Sequence, residues 1–139
     1  MVPFSLIADY VLGPKYDLSL VFVGDALSKK LNTIYRDKEK IANILSFPYS
    51  KTEGEIFIHL ARTQAESKKF GHNYRTHLIF LFIHGLLHLK GMDHSAKMEA
   101  REQEILAHFN IDGQKHLHGL RHRNIVDTPR GLRKKKRRK

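Results

Sequence analysis

A chain of 139 residues, 41% hydrophobic and 28% charged, suits one globular domain, and with no cysteine it excludes disulfides, thiolate metal sites and a cysteine nucleophile. The net charge of +11 sits mostly at one end: residues 1–110 hold 14 Lys/Arg against 12 Asp/Glu, and residues 111–139 hold 11 against 2. Such a polycationic end points to a polyanionic partner such as nucleic acid, the plainer reading being a solvated, solubilising tail. No charged segment followed by an apolar stretch opens the chain, so the protein is expected to be untargeted, cytoplasmic and free of membrane.

Pro3 to Val11 reads as a first helix, with Phe4, Ile7 and Val11 at helical spacing and Gly13-Pro14 as its stop. Ser19 to Val23 has the composition of a strand. Asp25 suits the N-cap of a helix over Ala26–Tyr35, whose apolar face would be Leu27, Leu31 and Ile34 or Tyr35. Asn32 and Arg36 lie one turn apart near its end. Residues 37–40 read as a charged turn. Asn43 to Phe47 reads as a second strand ended by Pro48. Glu55 to Leu60 alternates as a third, with Glu55, Phe57 and His59 on its more polar face. Ala61 to Phe70 reads as a helix closed by Gly71.

The central stretch follows. From about Thr76 to Leu89 the chain is apolar on nearly all sides, yet too short and too punctuated to cross a membrane. It reads as a buried central helix. His84 and His88 stand four residues apart, hence on one face. Lys90-Gly91 reads as the helix end, with a turn that delivers His94 to the same point. Three neutral nitrogens and an open position are a catalytic rather than a structural pattern, and zinc is the default ion. Nickel, copper and iron(II) suit the same donors. The spacing is also that of the metzincin proteases, but Gly85 stands where their glutamate would be. A mid-helix glycine costs about 1 kcal/mol against alanine, so a close approach of substrate or neighbouring backbone is expected there. Ser95 to Phe109 reads as a last helix with Met98, Ile105 and Phe109 buried and Glu99, Glu102 and Glu104 solvated. Asn110 and Gly113 mark the end of a domain over residues 1–110, and residues 111–139 read as a basic, disordered tail closing in Lys-Lys-Lys-Arg-Arg-Lys.

The run from His84 to His94 resembles the signature of the YbeY family, rRNA maturation factors regarded as metal-dependent endoribonucleases. Upstream, Leu31-Asn32-Thr33-Ile34-Tyr35-Arg36 is similar to that family's helix end carrying a functional arginine. Asn43 to Pro48 is similar to its central strand motif, Gly54 to Ile58 to its edge strand, and Met98 to Leu106 to its last helix. The resemblance spans roughly residues 4–109 and implies an α+β fold, a small mixed sheet packed with several helices around the central one. It implies one zinc ion per chain on His84, His88 and His94, with Arg36 completing the catalytic set beside the cleft. It implies cleavage of single-stranded RNA near the 3′ end of precursor small-subunit (16S) rRNA, ribosome quality control, and two partners, a small-subunit ribosomal protein and a ribosome-assembly GTPase. The chain departs from the family at several points. It starts at the helix, so the sheet is expected to lack the usual first strand. Ala42-Asn43 replaces the family's Thr-Asp, Glu55 replaces an aspartate, and His59 stands where a serine is expected.

The chemistry expected of such a site is Lewis-acid polarisation of a phosphoryl oxygen, activation of a water, or both. Arg36 would grip the phosphate. Asn32, Glu55, His59 and Asp93 are candidates for lining the groove or orienting a ligand ring, with Asp93 equally suited to capping its turn and His59 better suited to a surface position. Two other classes compete: a non-catalytic, zinc-containing rRNA-binding assembly factor, and a metalloprotease.

Overall fold

The computed structural model describes residues 2–36 and 41–111 and leaves out the side chain of Arg36. The elements run α1 (Phe4–Leu12), β1 (Asp17–Val23), α2 (Asp25–Arg36), β2 (Ile44–Ser50), β3 (Glu53–His59), α3 (Leu60–Lys69), α4 (Tyr74–Leu89) and α5 (Ala96–His108). The turn expected at 37–40 and the tail expected at 112–139 lie outside the described residues.

β2 and β3 form an antiparallel hairpin, and β1 joins β3 in parallel, giving the strand order β1-β3-β2. The fold is therefore α+β with a small mixed sheet of three described strands. The family-based assignment of Gly54–Ile58 to an edge is corrected: β3 is the central strand, and β1 and β2 are the edges. Pro48 does not end β2, which continues to Ser50. A proline lacks only a donor, and an edge strand tolerates that loss; the pairing shifts register between Pro48 and Ser50.

The pleat of β2 and β3 sorts the residues into two cores. Ile44, Ile56 and Ile58 turn toward α4 and α1. Leu45, Phe47, Tyr49 and Phe57 turn the other way, toward Leu31 and Tyr35 of α2. The face of β3 expected to be polar is thus covered, with Phe57 and His59 both buried. Within α2 the expected apolar face is rotated: Leu27 and Ile34 are exposed, and Ser28, Leu31 and Asn32 are buried. Ser28 accounts for the rotation, since its Oγ donates to the Ala42 carbonyl at 2.7 Å and accepts from the Ala42 N–H at 2.9 Å. Turning that face outward would strand both backbone groups, at about 1–3 kcal/mol each.

The helix ends follow local chemistry. Asn73 caps α4 two residues earlier than the apolar pattern suggests, its Oδ1 accepting from the Thr76 N–H at 3.1 Å. α4 packs on β2, α1, α3 and α5, and every residue from His77 to Leu89 is buried. Each fully buried Leu, Ile or Phe there contributes about 1.5–3 kcal/mol, so α4 is the element the rest of the fold is assembled on. No helix among the described residues is long and apolar enough to cross a membrane.

Candidate metal centre

Three local features converge the histidines. α4 places His84 and His88 on one face, their Nε2 atoms 3.0 Å apart. The helix then stops. The N–H groups of Lys90 and Met92 bond back to the carbonyls of Leu86 and Leu87, and Gly91 takes φ +92°. The chain turns back and brings the His94 ring to 4.9 Å from that of His84 and 5.1 Å from that of His88, centroid to centroid. Ser95 holds the turn by capping α5, its Oγ accepting from the Met98 N–H at 3.2 Å and donating to the Asp93 carbonyl at 3.1 Å.

One nitrogen from each ring lies within 4.8 Å of the others. Ligands on a tetrahedral zinc at about 2.05 Å stand about 3.3 Å apart, so the donor set fits an ion after small ring adjustments. His84 is fully buried, His88 is 8% exposed and His94 is partly exposed. The cluster therefore opens to solvent on the side of His88 and His94, where a fourth ligand can enter.

Glu102 is the residue that sequence reasoning missed. Expected in solvent, it is fully buried, its Oε2 2.5 Å from His84 Nδ1. A carboxylate there accepts the Nδ1–H and leaves the Nε2 lone pair toward the other two rings. The signal was present: Met98, Glu102 and Ile105 follow the i, i+4, i+7 spacing of the buried stripe of α5. A charged residue in such a stripe needs a partner, and His84 supplies it.

Gly85 is explained by packing and not by substrate. A methyl group at this position would come within 2.9 Å of Ile44 Cδ1 and Ser46 Oγ and 3.2 Å of Ile56 Cδ1. The residue after the first histidine faces the sheet, and Ser46 Oγ donates to its carbonyl at 3.3 Å. A glutamate base has no room there.

Three of the remaining candidates stand apart from the cluster. Asn32, Glu55 and His59 lie on the α2 side of the sheet, with Glu55 accepting from Tyr49 Oη at 2.5 Å. His59 is a buried cap and not a surface histidine: its Nδ1 accepts from the Arg62 N–H at 3.1 Å and its Nε2 meets Asp25 Oδ1 at 2.5 Å. Asp93 is exposed on the turn that delivers His94, and Glu102 is the carboxylate that meets the His84 ring. Arg36 closes α2, and its side chain lies outside the described residues.

Comparisons with known proteins point to a family. The family model described as Endoribonuclease YbeY matches residues 5–110. A protein named Endoribonuclease YbeY from Campylobacter jejuni is 34% identical over 108 residues, covering 72% of this chain and 80% of the relative. Its namesake from Nautilia profundicola is 35% identical over 102 residues, covering 68% and 73%. The solution structure of TM1509 from Thermotoga maritima shares the fold with a TM-score of 0.57 at 19% identity, covering 92% of this chain and 88% of that one. A family model over three-quarters of the sequence, relatives above 30% identity and a three-histidine cluster in the described fold lead to one assignment: the chain belongs to the YbeY endoribonuclease family.

Proposed function

We propose that this protein is a zinc-dependent endoribonuclease that cuts single-stranded RNA, acting at the 3′ end of precursor small-subunit rRNA and in ribosome quality control in the cytoplasm. The observation that carries the reading is the histidine cluster with its buried Glu102, on a member of a family named for RNA cleavage. His84, His88 and His94 would hold the ion, which when bound supplies Lewis acidity to a phosphate oxygen or a water. Glu102 holds the proton of His84 at Nδ1 and fixes the ring. The buried wall of α4 keeps water from all but the open side of the cluster.

Arg36 is proposed as the phosphate grip. Tyr35 packs edge-on against Phe47 with centroids 5.4 Å apart, and Phe47 neighbours Ser46, which touches Gly85 beside His84. A guanidinium would meet a phosphate there through a two-pronged hydrogen-bonded contact. The basic segment 111–139 would add sequence-independent phosphate contacts. A small-subunit ribosomal protein and a ribosome-assembly GTPase are the proposed partners.

The test is cleavage of an RNA spanning the precursor 3′ end, with casein as the control substrate. The zinc-loaded protein should cut the RNA and spare casein, and His84→Ala should cut neither. RNA binding without cleavage under all metal conditions would move the assignment to an assembly factor, and casein cleavage would move it to a protease.

A further inference from the structure

The turn between α3 and α4 reads Lys68-Lys69-Phe70-Gly71-His72-Asn73-Tyr74-Arg75-Thr76: three cations, three ring side chains and no acid. Gly71 makes the turn with φ +71°, and most of the segment is exposed. Phe70 is 36% exposed, and Lys69 Nζ lies 5.6 Å from its ring centroid. The His72 ring follows 6.2 Å away at a tilt of 34°. Lys68, Lys69 and Arg75 are exposed. The nearest acid in sequence, Glu66, is turned inward, with its Oε1 accepting from Asn43 Nδ2 at 3.1 Å and lying 3.2 Å from His77 Nε2. It therefore does little to offset the charge of the corner.

One large exposed ring among ammonium and guanidinium groups is a poor protein-docking surface, which needs a wider apolar patch. It does match the needs of single-stranded nucleic acid, whose bases stack on ring faces while cations meet its phosphates. We propose that this corner is a stacking and phosphate-binding subsite for single-stranded RNA, apart from the metal centre. The proposal rests on the ribonuclease reading for the nature of the ligand. From Asn73 to His84 the rise along α4 is about 16 Å, or about five nucleotide steps of a stacked strand. The corner would thus hold RNA several nucleotides from the scissile bond and select for substrates long enough to reach it.

The experiment uses the full chain, metal-loaded, as the parent, Phe70→Leu, Phe70→Tyr and the pair Lys68→Ser/Lys69→Ser. Binding of fluorescein-labelled unstructured RNAs of about 15 and about 4 nucleotides is followed by anisotropy across salt concentrations, with cleavage, metal content and thermal unfolding measured alongside. Phe70→Leu should weaken binding of the longer RNA about tenfold, and Phe70→Tyr should restore it. The lysine pair should reduce the salt slope by about 1.4. Binding of the short RNA and the cleavage rate at saturating long RNA should stay as in the parent. Variants that match the parent in affinity and slope overturn the subsite while leaving its ribonuclease activity standing. Weakened binding in variants of a parent that cuts no RNA would keep the subsite and sink the ribonuclease reading. A parent that binds no RNA overturns both.

Discussion

Removing the Glu102 carboxylate should weaken metal binding while sparing the metal-free fold. In Glu102→Gln the shape is kept and the amide oxygen still accepts from His84 Nδ1, but the negative charge beside the imidazole is gone. Loss of a partner that orients a ligand histidine lowers metal affinity about 10- to 100-fold. A hundredfold loss corresponds to about 2.7 kcal/mol of metal-linked stability. At roughly 4 °C per kcal/mol for a domain of this size, the Tm rise on adding metal should shrink by about 10 °C. The metal-free protein should change little, or become more stable, because a buried carboxylate without a cation carries a desolvation cost. The assay is competition with a chromophoric chelator, paired with thermal unfolding with and without the ion. Parent-like metal affinity in Glu102→Gln would refute the role given to this residue.

Three further outcomes follow from the same packing. Gly85→Glu should abolish cooperative unfolding and create no protease, since it drives a carboxylate between Ile44, Ser46 and Ile56; a folded, casein-cutting variant would contradict the packing argument. Gly54→Ala should cost about 1–3 kcal/mol in denaturant titrations, because its methyl would come within 2.9 Å of Leu89 Cδ2 and still closer to Tyr16 Oη; an unchanged midpoint would count against it. Burial, then Glu53 and Asp17, push the Tyr16 phenol up from its ordinary 10 to about 12. The folded state therefore holds that proton more tightly than the unfolded chain, and the associated stability is present below about pH 10 and lost as pH rises toward 12. The parent should lose stability more steeply than Tyr16→Phe across that window, and equal slopes would disprove the assignment.

The parts of the site written in local pattern were legible. His84 and His88 at i,i+4 in an apolar run, then a glycine stop and His94, specify converging rings because helix geometry and one left-handed turn suffice. What depended on distant partners was not. The central place of β3 arises from pairing with β1 across more than thirty residues, which no local period encodes. The outward turn of Leu27 and Ile34 depends on Ser28 meeting the backbone of Ala42. Burial of His59 needs Asp25 on another element. Glu102 is the intermediate case: its position in the stripe of α5 was readable, and only its charge argued for solvent, until His84 is seen to meet it.

Titration of a metal-free preparation with zinc, following bound ion and RNA cleavage in the same samples, tests the central claim most directly. Cleavage should rise in proportion to bound zinc and level off at one ion per chain, and His88→Ala should show neither strong binding nor cleavage. Cleavage by the metal-free protein at the loaded rate, or cleavage retained in His88→Ala, would contradict the account.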